Sequence, residues 1–324
     1  MVLGASAGGV QALQRLAADL PADFPVPLLV VLHVGAHPSV LPELMSAWGP
    51  VPAAHGRDGQ RLEPGRIYVA PPDHHMLVIG DAIRLNRGPK EHHSRPAIDP
   101  LFVSAALSCG ADVIGVILTG MLDDGTFGLQ AVKQCGGTAV VQDPADAAEP
   151  SLPLSAIEHV EVDHCVRLSA LAALLTSLAS VSPSPAAPRD HQRLRHEQGL
   201  ALFQGDAMEH LTAIGKPSTF VCPDCRGGLW EIDQSKPVRY RCHTGHAFTI
   251  RTLQHALWAS ADESVWAALR ALQEKSQLIK HMATLARASG DEQRAVHLAA
   301  VALAIDRQAE QVHGVVEQAP LPIE

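Results

Sequence analysis

Short apolar runs alternate with segments of helical periodicity from residue 1 to about residue 179, and this alternation restricts the possible folds. Residues 26–32 and 113–118 are continuous apolar runs rich in Val, Leu and Ile, as expected for strands buried on both faces of a sheet. Strands that alternate with helices predict an α/β fold with a doubly wound, mostly parallel, three-layer arrangement. Ligands of such folds bind beyond the carboxyl ends of the strands.

The first apolar run, residues 1–3, leads directly into Gly4-Ala5-Ser6-Ala7-Gly8. A helical periodicity follows, so this segment predicts a strand, a sharp turn and a helix, with Ser6 at the apex of the turn. A serine in that position presents its hydroxyl at the carboxyl edge of the sheet, where it can act as a nucleophile. A glycine-rich phosphate loop and an ordinary strand-to-helix turn are the alternatives, because short glycine motifs recur by chance.

Polar residues also follow two other strand-like runs. His33 comes directly after residues 26–32, and Asp123 and Asp124 come after residues 113–118. In nucleophilic acyl transfer a histidine takes the serine proton and a carboxylate fixes the tautomer of that histidine. Taken singly, the histidine is as well explained by a hydrogen-bonded loop and the aspartates by a turn or helix cap. Their coincidence at three strand ends favours a Ser-His-Asp triad.

Composition excludes several classes of protein. A net charge of -9 argues against a nucleic-acid binder, which usually carries a basic face. No run approaches the roughly 18 apolar residues of a membrane helix, and the first residues do not resemble a secretory signal. Six cysteines in 324 residues do not form a disulfide framework, and three of them share one small region with metal-ligand spacing. The expectation is a cytoplasmic protein without membrane insertion.

Residues 1–165 resemble the catalytic domain of the CheB-type chemotaxis protein-glutamate methylesterases, in order and at similar separations. The resemblance is carried by Gly4-Ala5-Ser6-Ala7-Gly8-Gly9, Leu32-His33-Val34, Pro64-Gly65-Arg66-Ile67-Tyr68-Val69-Ala70-Pro71-Pro72-Asp73-His74-His75-Met76, Arg95-Pro96-Ala97-Ile98-Asp99-Pro100-Leu101-Phe102, Gly115-Val116-Ile117-Leu118-Thr119-Gly120-Met121 and Asp124-Gly125.

This resemblance implies a nucleophile at Ser6, a general base at His33 and an orienting acid at Asp124, with Asp123 only as a neighbour. The implied reaction is hydrolysis of glutamate γ-methyl esters on methyl-accepting chemotaxis receptors with release of methanol, without a cofactor. The family can also deamidate glutamine by the same route. A non-catalytic adaptor that grips receptor tails, and an esterase with another acyl substrate, are the alternatives.

Three cleft residues accompany the expected triad. Backbone N–H groups near Ala7 and Met121 are expected to hold the oxyanion, because residues beside the nucleophile commonly supply them. Arg95 is expected to shape the cleft, and the alternative for Arg95 is a structural ion pair with Asp99.

Two departures from the family pattern are visible. Nothing in this sequence precedes the catalytic domain, whereas usual members carry an amino-terminal receiver domain, so phosphorylation of an aspartate is not expected here. Leu122-Asp123 also replaces the usual glycine and variable residue. A like charge at Asp123 is expected to raise the pKa of either carboxylate, with little effect if Asp123 is solvated.

The second half of the chain predicts a metal site. After a proline-rich linker at 181–190 and a helix at about 191–214, two knuckles hold Cys222, Cys225, Cys242 and His246. Cys-x-x-Cys with Cys-x-x-x-His fits a closed, structural zinc ribbon, and metal binding would supply folding energy that so small a unit lacks. His246 is preferred to His243 as the fourth ligand. A redox motif and a nucleic-acid-binding ribbon are the alternatives.

Residues 252–324 show two stretches of helical periodicity broken at Gly290, which predicts an antiparallel helical hairpin. Its apolar face is expected to form a core or a self-association surface. The predicted division is a catalytic domain at 1–180, the linker at 181–190, a helix with the zinc ribbon at 191–251, and the hairpin at 252–324.

Overall fold

The computed structural model describes residues 1–180 and 191–317. The predicted linker at 181–190 lies outside the described residues. The chain divides into two compact units, Met1–Leu253 and a second one that begins at Gln254. The catalytic region and the ribbon thus lie in the same unit, and the predicted four-part division stays a prediction.

The amino-terminal region alternates strands and helices in the predicted manner. Its elements are β1 (Val2–Ala5), α1 (Gly9–Asp19), β2 (Leu28–Leu32), α2 (Leu41–Trp48), β3 (Ala53–His55), β4 (Ile67–Val69), β5 (His75–Ile79), β6 (Ala82–Asn86), α3 (Ile98–Cys109), β7 (Ile114–Ile117), α4 (Thr126–Gln134), β8 (Thr138–Gln142), α5 (Ser151–His159), β9 (His164–Val166) and α6 (Leu168–Ala179).

Seven of these strands form one parallel sheet in the order β3-β4-β2-β1-β7-β8-β9, which confirms the predicted α/β fold. β1 lies between β2 and β7, with Val2 paired to Leu29 on one side and to Gly115 on the other. Two hydrophobic cores pack against its two faces. Burial on both faces explains why the central strands are continuous apolar runs.

β5 and β6, which are separated in the sequence by Gly80 and Asp81, pair as an antiparallel hairpin outside the main sheet. The positions of the two edge strands were predicted less accurately from the sequence than those of the central strands. The alternation of Val160 and Val162 in the sequence predicts a strand at 160–162, whereas β9 occupies His164–Val166, and the short edge strand β3 has no such pattern. Both edge strands are partly exposed and carry polar side chains, so they lack the apolar run that identifies a buried strand.

The second part of the first unit contains α7 (Gln192–Leu202), α8 (Ala207–Ile214), β10 (Gly215–Val221), β11 (Gly228–Ile232), β12 (Arg239–Cys242) and β13 (Ala247–Thr249). The sequence predicted one helix at 191–214, but α7 ends where Phe203 adopts a left-handed backbone with φ of 54°. Asp206 then caps α8 by accepting a 2.7 Å hydrogen bond from the Met208 N–H. The four strands form an antiparallel sheet, here called the ribbon.

The ribbon is joined to the rest of the unit by buried charges. Glu197 of α7 accepts from Arg239 Nη1 at 2.7 Å and lies 2.5 Å from Arg241 Nε, and Arg241 also donates to Glu91 at 2.6 Å. The Arg239 guanidinium lies 3.6 Å from the centre of the Phe127 ring of α4. Burial alone would raise the pKa of Glu197, but the two arginines lower it to about 2.

We expect Glu197→Gln to lower the free energy of unfolding by about 3–5 kcal/mol at neutral pH, because two buried guanidinium groups lose their counter-charge. The pKa of Glu197 in the folded protein lies below its ordinary value of 4.5. Its contribution is therefore present above about pH 4.5 and is lost as the pH falls towards 2. Urea unfolding at pH 7 and pH 3 measures both effects.

In that comparison Glu209→Gln is the control, since Glu209 is exposed in the first turn of α8. The Glu197→Gln protein should show a flatter dependence of stability on pH than wild type. An unchanged stability at pH 7 would contradict the assigned role of this ion pair.

The second unit consists of most of α9 (Ile250–Ala288) and of α10 (Glu292–Glu317), and the helical hairpin is present as predicted. Buried and half-buried side chains recur at alternating spacings of three and four on both helices, which is the heptad pattern of a coiled coil. Ser276 and Lys280 of α9 both contact Asp306 of α10, at 2.5 Å and 2.9 Å. The residues of this seam are Leu269, Leu272, Ser276, Ile279, Ala283, Ala286, Ala295, Leu298, Ala302, Ile305, Ala309 and Val312.

Within residues 1–180 and 191–317, no helix combines the length and apolar character needed to cross a membrane.

Candidate active site

The three strand ends singled out in the sequence are neighbours in the sheet. Ser6 follows β1, His33 follows β2, and Asp124 lies in the loop between β7 and α4. Because these strands are adjacent and parallel, their carboxyl ends meet at one edge. The His33 N–H continues the pairing of β2 with β1 by donating to the Ala5 carbonyl at 3.3 Å.

The three side chains form a continuous hydrogen-bonded chain. His33 Nδ1 lies 3.1 Å from Ser6 Oγ, and His33 Nε2 lies 2.7 Å from Asp124 Oδ2. With Asp124 ionised, Nε2 carries the proton and donates it, which leaves Nδ1 free to accept from the serine hydroxyl. Ser6 and His33 are half-buried and Asp124 is buried, so the chain runs from the protein interior to an accessible hydroxyl.

Asp124 is held as a carboxylate. Its Oδ2 accepts from the Ile98 N–H at 2.7 Å and its Oδ1 accepts from the Asp99 N–H at 3.1 Å, both in the first turn of α3. Burial alone would raise its pKa, but His33, a second histidine at 92 and the Ile98 N–H lower it to about 2. A like charge at Asp123 was expected to raise the pKa of Asp124. The structure shows that this pKa is lowered, because hydrogen-bond donors surround the carboxylate.

Asp99 makes the equivalent interaction with the neighbouring helix α4. Its Oδ1 accepts from the Gly125 N–H at 3.0 Å and from the Gly128 N–H at 2.7 Å, at the start of α4. Asp124 therefore caps α3 while Asp99 of α3 caps α4. This reciprocal capping fixes the loop that carries the triad carboxylate.

The turn at Ser6 requires its glycine. Gly8 has a φ of 74°, and a Cβ on it would lie 2.7 Å from the Ala148 Cβ. The Ser6 N–H donates to the Thr119 carbonyl at 3.0 Å, and Thr119 Oγ1 donates to the Ala7 carbonyl at 3.0 Å. These bonds tie the serine turn to the segment that follows β7.

The structure brings the segments of Ala7 and Met121 to the same sheet edge. Ala7 lies two residues before α1 begins, where the partial positive charge of the helix favours an anion. Met121 follows β7 and is 55% exposed. Leu122, the next residue, has a positive φ of 63°. Both positions are thus compatible with donors to an oxyanion beside Ser6, and their roles stay predictions.

Arg95 makes a different ion pair from the alternative considered in the sequence. It does not pair with Asp99; its Nη2 and Nε contact Asp73 Oδ1 at 2.5 Å and 2.9 Å. Arg87 contacts the same carboxylate, and the hydrogen bond from Arg95 is the main cause that lowers the pKa of Asp73. The Asp73 N–H donates to the Gly35 carbonyl at 3.3 Å, so this pair borders the loop after His33.

Sequence reasoning misjudged two further residues beside the triad, because it allowed Asp123 to be solvated and did not identify His92. Asp123 is buried, not solvated, and accepts from Thr249 Oγ1 of the ribbon at 2.8 Å; burial is the main cause that raises its pKa. His92 Nε2 lies 3.1 Å from Asp99 Oδ2 and 3.8 Å from Asp124 Oδ1. Burial would lower the pKa of His92, but these carboxylates raise it to about 9.

The four predicted metal ligands converge in the ribbon. The donor atoms of Cys222, Cys225, Cys242 and His246 all lie within 4.8 Å of one another, with Cys225 Sγ 3.6 Å from Cys242 Sγ. A tetrahedral zinc with Zn–S bonds of about 2.3 Å separates its sulfurs by about 3.8 Å, so the group fits zinc. His243 lies outside this group.

His246 presents Nδ1 to the sulfurs, 3.5 Å from Cys242 Sγ and 3.7 Å from Cys222 Sγ. Its other nitrogen, Nε2, lies 3.9 Å from Asp224 Oδ2. A carboxylate behind a ligating imidazole is a common arrangement at zinc sites, where it orients the ring. This geometry supports a metal-binding group of three cysteines and one histidine.

A serine, a histidine and a buried carboxylate in hydrogen-bonded series define the class of hydrolases that act through a serine nucleophile. The family model for the CheB methylesterase matches residues 1–175. The chain belongs to the CheB methylesterase family.

Similar proteins agree with this assignment. A protein of Leptospira interrogans is 36% identical over 184 residues, which cover 55% of this chain and 93% of the relative. A protein-glutamate methylesterase/protein-glutamine glutaminase of Anaeromyxobacter dehalogenans is 41% identical over 156 residues, which cover 47% of this chain and 46% of that one. The crystal structure of the Thermotoga maritima CheB methylesterase catalytic domain matches with 31% identity and a TM-score of 0.52, covering 55% of this chain and 96% of that chain.

Proposed function

We propose that this protein is a serine hydrolase that demethylates glutamate γ-methyl esters on methyl-accepting chemotaxis receptors, in the cytoplasm, as part of chemotactic adaptation. The observation that carries the proposal is the series Ser6 Oγ, His33 and Asp124, with separations of 3.1 Å and 2.7 Å. Membership of the CheB methylesterase family and the names of the relatives support the substrate class.

In the proposed first step Ser6 Oγ attacks the ester carbonyl while His33 Nδ1 takes the hydroxyl proton. Asp124 stabilises the resulting imidazolium through its hydrogen bond from Nε2. The N–H groups of Ala7 and Met121 are proposed to bind the oxyanion of the tetrahedral intermediate. The intermediate collapses to an acyl-Ser6 ester, and His33 gives its proton to the departing methoxide, which leaves as methanol.

Water completes the reaction. His33 takes a proton from the water as it attacks the acyl-Ser6 ester, and then returns a proton to Ser6 Oγ. The side chain is released as glutamic acid, which loses its proton to solvent and becomes a carboxylate, and the triad regains its starting state. A glutamine side chain would follow the same route with ammonia as the leaving group. Apart from the water, the reacting groups that the proposed steps use belong to this chain.

Arg95 is proposed to shape the cleft rather than to react. Its guanidinium is held by Asp73 and donates to the Gly88 carbonyl at 2.6 Å, which leaves little freedom to move. Because Asp73 also bonds the loop after His33, this pair would fix the wall of the cleft on the histidine side.

The metal group is proposed to hold one zinc ion through Cys222, Cys225, Cys242 and His246. Four protein donors complete a tetrahedral shell and leave no position for a substrate, so the zinc would be structural. It would supply folding free energy to the ribbon, whose apolar interior is small.

Self-association through the second unit is also proposed. Leu278 and Leu285 of α9, seven residues apart, and Leu303 of α10 are more than half exposed, although the seam of the hairpin is already filled. Two hairpins that pack such stripes together would form a four-helix bundle.

The proposed activity is tested by methanol release from methylated receptor membranes incubated with the purified chain. We expect methanol to appear in step with loss of receptor methylation, and ammonia to appear when receptors with unprocessed glutamines are supplied. Hydrolysis of simple activated esters without any methanol from receptors would contradict the receptor substrate and favour an esterase with another acyl substrate.

A further inference from the structure

The end of the ribbon and the start of α9 contact the residues beside the triad carboxylate Asp124, although they are far from it in sequence. Thr249 ends β13, and Thr252 lies in the first turn of α9. Both threonines are buried and both belong to the first compact unit. Their hydroxyl groups contact the two residues that flank the triad carboxylate, Asp123 and His92.

The first contact is between Thr249 and Asp123. Thr249 Oγ1 donates to Asp123 Oδ1 at 2.8 Å, and the bond spans 126 residues of sequence. Asp123 Oδ2 is buried and has no hydrogen-bond partner among the described residues. The Thr249 hydroxyl is therefore the side-chain donor that holds Asp123, the residue directly before Asp124.

The second contact is between Thr252 and His92. Thr252 Oγ1 lies 3.3 Å from His92 Nδ1, while the opposite nitrogen of His92 faces Asp99 at 3.1 Å and Asp124 at 3.8 Å. A charged His92 offsets the repulsion between these two buried carboxylates. The orientation of the His92 ring decides whether its charge stabilises Asp99 or Asp124 more strongly.

The backbone of the ribbon holds His92 as well. The His92 N–H donates to the Ala247 carbonyl of β13 at 2.8 Å. Glu91, the preceding residue, is paired to Arg241, the residue before the metal ligand Cys242. The loop of His92 is therefore fixed by β12 and β13, on either side of the metal group.

We propose that Thr249, the last residue of the ribbon, and Thr252, in the first turn of α9, are positioning residues for the triad carboxylate Asp124, acting through Asp123 and His92. The metal-binding ribbon is then a working part of the active site and not only an attached module. This inference rests on the proposed triad at Ser6, His33 and Asp124.

The experiment must distinguish a purely structural role of Thr249 and Thr252 from the positioning of Asp124. Thr249 and Thr252 also cap α9, since each hydroxyl accepts from the backbone N–H of the other residue, at 3.1 Å and 2.8 Å. Removal of either hydroxyl therefore costs about 1 kcal/mol of stability whatever its role in catalysis. Asp206→Ala is the matched control, because it removes the cap of α8 in the same unit without touching the triad.

The test compares Thr249→Val, Thr252→Val and Asp206→Ala in the full chain with its metal content measured. The readouts are kcat and KM for demethylation, and the rate at which a fluorophosphonate probe labels Ser6. We expect each valine variant to lower kcat and the labelling rate about 10-fold at unchanged KM, as is typical when a residue that orients a catalytic group is lost. Asp206→Ala should leave both rates unchanged.

The conservative variants Thr249→Ser and Thr252→Ser keep the hydroxyl and should restore both rates. Asp123→Ala should lower the labelling rate as Thr249→Val does. The double variant that combines these two changes should label no more slowly than either single variant, because each change removes the same bond between Thr249 and Asp123. Wild-type labelling rates in both valine variants, or a loss that serine does not restore, would overturn the proposal.

The labelling rate also separates this inference from the proposed function. If wild type labels at Ser6 but releases no methanol from receptors, the receptor substrate is wrong and the positioning role still stands on the labelling rates. If Thr249→Val and Thr252→Val label normally while wild type releases methanol, the positioning role alone fails.

Discussion

Ser6→Ala should abolish methanol release, with kcat reduced by about 10⁴-fold or more, because Ser6 Oγ is the atom proposed to form the acyl intermediate. KM for the receptor should change little, since the rest of the cleft stays in place. The change removes one oxygen from a half-buried side chain and leaves the Ser6 N–H bond to Thr119 in place. Methanol from radiolabelled receptor membranes measures the result.

Ser180→Ala is the control for this experiment, since Ser180 is exposed at the end of α6 and lines a groove with Asp19 and Pro21, at the opposite end of α1 from the Ser6 turn. That variant should demethylate receptors at the wild-type rate. Comparable methanol release by Ser6→Ala and wild type would show that Ser6 is not the nucleophile. Receptor binding without methanol release, unaffected by Ser6→Ala, would favour an adaptor role for the cleft.

The largest expected effect on stability is at the metal group. Cys242→Ser should remove the proposed zinc and unfold the ribbon, since Cys242 is buried and its sulfur lies 3.6 Å from Cys225 Sγ and 3.5 Å from His246 Nδ1. Structural zinc contributes about 10–16 kcal/mol in isolated zinc-finger peptides. A loss of several kcal/mol is expected here, because buried ion pairs also hold the ribbon. Metal analysis and thermal unfolding are the measurements.

Cys165→Ser is the matched control, because Cys165 is exposed on β9 and is not a member of the metal group. It should keep one zinc per chain and an unchanged unfolding midpoint. A full complement of zinc in Cys242→Ser, or the absence of zinc from mildly purified wild type, would contradict the metal assignment.

The sheet and the strand ends were predictable because they depend on local patterns. Buried parallel strands are apolar throughout, and the residue that follows such a strand lies at a known edge. Ser6, His33 and Asp124 each follow one of the three central strands, so their proximity follows from the order β2-β1-β7. The family resemblance then selected Asp124 rather than Asp123.

The surroundings of the triad were not predictable in the same way. The bond from Thr249 to Asp123 spans 126 residues and the contact of Thr252 with His92 spans 160, so neither leaves a local pattern. His92 is one of two adjacent histidines, and nothing in their sequence distinguishes the buried one from its neighbour. The partner of Arg95 is another such case, because the sequence suggested Asp99, four residues away, whereas the observed partner Asp73 is 22 residues away.

The reciprocal capping of α3 and α4 restricts how this enzyme can be inactivated, in the laboratory or by evolution. Asp124 serves both as the triad acid and as the acceptor for the Ile98 and Asp99 N–H groups, so its replacement disturbs folding and chemistry together. A lineage that abandoned catalysis would therefore be expected to retain the aspartate and lose the serine first. For the same reason, a catalytically dead reference protein with intact structure is best made at Ser6.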